Sequence, residues 1–154
     1  LFLPRIFITT DFVTFTEKIA DRKYIMKYIK NYMLFFAIIS IIILVGSYLF
    51  ASEILSIFGK EYMMYSDSFF ILIIGIIGIF LLRGVFGNLL ASIGRIEVNY
   101  YIICMALLIN ILSNQYLIPI YGIKGAAITS AILMWFTGIL SWLCFAYLYK
   151  KKYR

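Results

Sequence analysis

Four long apolar runs dominate the chain, at roughly 31–50, 69–93, 99–120 and 125–149, with short polar or basic connections between them. Each is close to the 20 or so helical residues that cross a hydrocarbon core about 30 Å thick. Backbone N–H and C=O groups cannot go unpaired in lipid. None of the runs alternates apolar with polar positions, so the pattern predicts helices and not a closed barrel. The expected fold class is all-α: a polytopic membrane bundle of four transmembrane helices.

The connections agree with four spans. Ser66, Asp67 and Ser68 stand where side chains cap a helix start, and Gly59 can end a short helical extension, 51–58, beyond the first run. Pro119 and Gly122 in LIPIYGIKG predict a tight turn, and so an antiparallel hairpin of the third and fourth runs. Ahead of the first run, apolar residues recur at Phe12, Phe15, Ile19, Met26, Ile29 and Met33, with Lys18, Arg22, Lys23, Lys27 and Lys30 largely off that stripe. This predicts an amphipathic helix over 12–30 that lies along the cytoplasmic headgroups and feeds the first span. A solvated basic linker that only sets topology is the plainer alternative. Residues 1–11 are expected to end a preceding transmembrane helix, and 31–154 to form a four-helix transmembrane part.

Composition turns the pattern into an environment. Of the 154 residues, 64% are apolar and 14% charged, and the mean hydropathy is +1.00; soluble domains are roughly half apolar and a quarter charged. A soluble core of this size cannot hide so many large side chains.

The net charge is +7. The basic residues lie between and beyond the apolar runs, with no aromatic-interleaved basic surface left in water. Anionic lipid at the cytoplasmic face, and no nucleic acid, is therefore the expected partner. Six Lys/Arg precede the first span, Arg95 lies between the second and third, and four follow the last, against Lys60 and Lys124 in the opposite connections. By the positive-inside rule both ends are cytoplasmic. Cys104 and Cys144 sit inside apolar runs as small hydrophobes, and there is no histidine. The spans contain no His, Asp, Glu or Lys, so neither a cofactor or metal site nor an enzyme is expected.

One arginine remains. The stretch IFLLRGVFG places Arg83 near the centre of the second run, slightly towards the cytoplasmic side. An arginine at that depth costs about 2.5–3.5 kcal/mol on insertion scales, so its head should face protein or a watery cavity. Every acid lies outside the spans, which leaves an anionic ligand, a carboxylate elsewhere or helix carbonyls to receive it. The guanidinium fork matches phosphate oxygens. Asn110 on the third run is expected at a similar depth, with Asn114 on the same face at i+4, Ser113 and Gln115 beside it, and Asn88 on the second run. These residues either line a hydrophilic path or hydrogen-bond between helices. Gly75, Gly78, Gly84, Gly87, Ala91, Gly122, Gly125, Ala126, Thr129 and Ser130 mark close-approach faces, read first as packing and second as a hinge. Tyr48, Tyr62, Tyr100, Tyr101, Tyr147 and Trp142 read as interfacial anchors.

The sequence NQYLIPIYGIKGAAITS resembles bacterial polysaccharide transporters, the oligosaccharide flippases of the multidrug/oligosaccharidyl-lipid/polysaccharide exporter superfamily. LFLPRIF is similar to that family's span ending in Leu-x-Pro-Arg, ILSIFGKEY to the outer loop after the next span, and LLASIGRIEVNY to its short cytoplasmic connection. The resemblance implies two pseudo-symmetric helical bundles around a central cavity, with 31–154 as the four-helix part of the C-terminal bundle of a larger transporter. It also implies alternating-access transport of a lipid-linked oligosaccharide, a repeat unit on undecaprenyl diphosphate, across the bacterial cytoplasmic membrane. Arg83, Asn88, Asn110 and Asn114 are then the candidate substrate-binding residues, and the rest of the same transporter chain is a partner. Drug/cation antiport within the same superfamily and a structural membrane subunit without transport are the competing expectations.

Overall fold

The computed structural model describes residues 16–153. The expected end of a preceding helix, at 1–11, and positions 12–15 of the amphipathic stretch lie outside them. Among the described residues every regular element is helical, with four helices long and apolar enough to cross a membrane and a short helical segment, 16–18, ahead of them.

Helix α1, Arg22–Ser56, starts at a turn that Asp21 caps by accepting from the Lys23 and Tyr24 backbone N–H groups at 3.0 and 3.1 Å. That turn separates 16–18 from α1, so positions 22–30 of the amphipathic stretch belong to the first span's own helix. At 1.5 Å per residue its 35 residues reach about 52 Å, well beyond the hydrocarbon core. Ile25, Ile29, Tyr32, Phe36, Ser40, Ser47 and Ala51 are its buried residues, spaced by three, four or seven. Phe50 leaves helical geometry (φ −122°, ψ 19°), and Gly59, at φ 140°, stops the extension.

A 3₁₀ turn, Lys60–Tyr65, leads into α2, Ser66–Gly78. No side chain caps α2. The expected cap at Ser66–Ser68 is not formed, and Asp67 instead pairs with Lys124 at 3.0 Å. The second span continues through a π-helical segment, Ile79–Arg83, into α3, Gly84–Ser92. There the Gly84 N–H reaches the Ile79 carbonyl, five residues back.

A turn at Gly94 (φ 77°) connects to α4, Ile96–Tyr121, and Gly122 (φ 57°) connects α4 to α5, Ile123–Lys152. Pro119 is helical in the last turn of α4. Its missing N–H forfeits only one bond there, so Gly122 makes the turn by itself. α4 and α5 pack as the expected hairpin, and α5 also lies against α2, the π segment and α3; α2 and the π segment in turn carry α1. In space the order is α1, second span, α5, α4.

The bundle is packed differently along its length. Ile25, Phe36, Val85, Leu89, Leu90 and Ile93 form a fully enclosed apolar core at the end nearest Gly94. Further along, small residues let backbones touch: a Cβ on Gly75 would stand 2.7 Å from the Ala131 Cα, and one on Gly78 2.9 Å from the Trp135 ring. The basic residues segregate too. The Tyr149 hydroxyl donates to the Ile19 carbonyl at 2.9 Å and Lys152 Nζ to the Ile93 carbonyl at 2.9 Å. These bonds join the start of α1, the Gly94 turn and the end of α5 at one basic face. Lys60, Lys124 and Asp67 lie at the other.

Candidate functional site: the Arg83 groove

The π segment ends on Arg83, and its side chain is half-buried. Nη1 donates to Asn99 Oδ1 at 2.7 Å and to Ser141 Oγ at 2.6 Å. Each acceptor is itself anchored. Asn99 Nδ2 donates to the Gly87 carbonyl at 2.7 Å, and the fully enclosed Ser141 hydroxyl donates to the Thr137 carbonyl at 2.7 Å. One guanidinium nitrogen therefore ties the second span to both α4 and α5. Gly87 makes room for it, since a Cβ there would lie 3.1 Å from Nη1.

Both acceptors are neutral. Among the described residues the ion pairs are Arg95–Glu97 and Lys124–Asp67, so no carboxylate cancels the Arg83 charge. Nε and Nη2 form no hydrogen bond there, and neither is an enclosed atom without a partner. They remain available on the open side of the group.

Asn99 lies in the first turn of α4 and Ser141 near the middle of α5, so the Arg83 head reaches from the second span towards the basic end of the bundle on one side and the centre of α5 on the other. Asn110 follows Asn99 by eleven residues, about three turns, and forms no hydrogen bond with Arg83.

They do share a groove. An open cavity of about 550 Å³ runs between the second span, α4 and α5, with Arg83 and Ile79 on one wall, Leu107 and Asn110 on another, and Ser130 and Thr137 on the third. Its lining is mostly apolar, with polar groups at intervals. Asn114 Nδ2 donates to Asn110 Oδ1 at 2.9 Å, so these two candidates form one i,i+4 pair, which also borders a shallower depression with Gln115 and Pro119. Asn88 is not brought to the site: its Nδ2 donates to the Gly84 carbonyl at 2.6 Å, back along its own helix.

Asn99 and Ser141 were not among the candidates. Asn99 sits at a span boundary, where asparagine reads as interfacial. Ser141 lies in the apolar ILSWLC, but it continues the small-residue face of α5 three positions after Gly138, and following that face to its end would have found it. Comparison with protein-family models, curated proteins and solved structures returns no match.

Proposed function

We propose that the chain belongs to a transporter that moves a lipid-linked oligosaccharide, a polysaccharide repeat unit on undecaprenyl diphosphate, across the bacterial cytoplasmic membrane by alternating access. One observation carries this reading: a guanidinium with no counter-charge among the described residues stands at the head of a three-helix groove. Asn99 and Ser141 hold Arg83 without neutralising it, so its attraction for an anion is retained. Diphosphate oxygens match the free edge of the fork. The apolar walls suit a polyprenyl tail, and Asn110 offers a polar contact deeper in. The sequence resemblance to polysaccharide transporters points the same way. In that reading the basic face is cytoplasmic, Arg83 receives the diphosphate there, and the groove is completed by the rest of a longer chain.

The π segment supplies a device for the cycle. Gly78 and Gly84 flank it, and its i→i+5 bonding can relax to i→i+4 by shifting register, which would swing Arg83 away from Asn99 and Ser141.

The same bonds favour a second reading, in which Arg83 is only a clasp holding three helices together. The two readings separate in one experiment. In cells dependent on this chain for surface glycan, Arg83→Ala should abolish export with protein level intact, and Arg83→Lys should keep part of it. Asn99→Ala, which leaves the charge in place, should retain most export. Unaffected export in Arg83→Ala retires the transport role of this residue, and equal losses in Arg83→Ala and Asn99→Ala favour the clasp.

A further inference from the structure

A second cavity, of about 410 Å³, lies at the basic face between the start of α1 and the end of α5. It lies on the opposite side of the second span from α4, and none of the Arg83 groove's residues lines it. Its lining joins Arg22, Lys150 and Tyr153 at the helix ends to the apolar Ile29, Phe86 and partly exposed Trp142. From Lys150 back to Trp142 is eight residues of one helix, about 12 Å along its axis. The cavity therefore has a cationic opening at the membrane surface and an apolar floor that descends into the hydrocarbon.

The two cations are uncommitted. Among the described residues neither Arg22 nor Lys150 forms an ion pair or a side-chain hydrogen bond. The nearest acid on α1's side, Asp21, is engaged in capping the backbone of that helix. The Tyr149 hydroxyl is turned away, to the Ile19 carbonyl. Charge at one end and apolar surface at the other describe an amphiphile with an anionic head.

We propose that this cavity is a binding site for one anionic phospholipid, with its phosphodiester between Arg22 and Lys150 and an acyl chain lying against Phe86 and Trp142. The proposal is independent of the transport reading, because it requires only that the basic face lie at a membrane surface. A lipid held there adds a bridge between α1 and α5 beside the Tyr149–Ile19 bond. Its negative charge is set against the two cations of the lining.

Trp142 is the natural reporter. The chain has two tryptophans, and the other, Trp135, donates from its indole to the Ile74 carbonyl towards the opposite face. The test uses the purified full chain, in a Trp135→Phe background, in vesicles of phosphatidylcholine. Quenching of Trp142 is followed as acyl-brominated phosphatidylglycerol or acyl-brominated phosphatidylcholine is added at equal mole fraction. The site predicts an apparent preference of about tenfold for the anionic lipid (~1.4 kcal/mol), in line with two surface cations acting on one charge. In Arg22→Gln/Lys150→Gln the preference should fall to about one, and Arg22→Lys/Lys150→Arg should restore it. Lys23→Gln/Lys27→Gln, which removes the same charge from the same face outside the cavity, should leave it in place, as should added inorganic phosphate. Equal quenching by the two lipids overturns the proposal. So does a loss in Lys23→Gln/Lys27→Gln as large as in the cavity variant, since diffuse surface charge then accounts for the preference.

Discussion

α4 and α5 form one hairpin, are similarly apolar and are nearly equal in length, but they meet their surroundings in different ways. α5 buries eight residues, among them Gly125, Ala127, Thr129, Ala131, Gly138 and Ser141, while α4 buries only Ile102. Large side chains such as Leu108, Leu112 and Tyr116 project outwards along α4. α5 is thus held by close backbone approach to the second span, and α4 by its seam with α5 and a few polar bonds. In a membrane the surrounding lipid is as apolar as the helix, so hydrophobicity does not decide which face turns inwards; shape and hydrogen bonding do. The polar groups of the candidate site follow this division. Arg83 and Ser141 sit in the tight part, and Asn99 on α4 closes the bond from the looser side.

The strongest way to break the contrast is to add volume on the tight side. Gly75→Leu forces a side chain into the space held by the Ala131 backbone, and should destabilise the bundle towards the upper end of the ~1–3 kcal/mol typical of overpacking. Leu112→Ala on α4 should cost no more than ~0.5 kcal/mol. Thermal unfolding of the purified protein in detergent compares them, and equal losses would remove the distinction between the two helices.

The Arg83 bonds come next. Arg83→Ala leaves Ser141 and Asn99 without their donor and should cost roughly 1.5–3 kcal/mol, the range for hydrogen bonds to a charged group. If Asn99 is the link that attaches α4, a double-mutant cycle of Arg83→Ala with Asn99→Ala should show a coupling of at least ~0.5 kcal/mol. Additive losses would mean that the two side chains stabilise the bundle separately. The smallest effect belongs to the pair at the other end. Asp67 and Lys124 are 75% and 49% exposed, and Asp67→Asn should change stability by no more than ~1 kcal/mol, with the change fading as salt is raised.

The four spans were legible because lipid demands length and continuity, which a run of isoleucine and leucine states directly. Gly59 and Gly122 were legible as stops because only glycine is easily accommodated at their backbone angles. The small face of α5 could also be read, since Gly125, Thr129 and their neighbours recur at helical spacing. The cap at Ser66–Ser68 was misread: Asp67 had a cation available across the bundle, and a sequence does not show partners from another helix. The π segment left no mark in IFLLR; it lies where Gly138 of α5 comes against Gly78, Leu82 and Arg83, a contact between helices that local sequence does not show. Asn88 was misplaced because its amide bonds back to the Gly84 carbonyl of its own helix, a choice that a sequence does not show. Asn110 and Asn114 were correctly paired because i,i+4 spacing within a single regular helix needs no tertiary information.

The central claim is that the groove beside Arg83 is hydrated and takes a negatively charged, lipid-linked cargo. It is tested most directly by thiol accessibility in vesicles. With Cys104→Ser and Cys144→Ser as background, Asn110→Cys in the groove and Leu108→Cys on the exposed face of α4 are treated with a water-soluble, membrane-impermeant maleimide. The account predicts that position 110 labels, that position 108 does not, and that undecaprenyl diphosphate protects position 110 only while Arg83 is present. Labelling at neither position, or protection unchanged by Arg83→Gln, would contradict it.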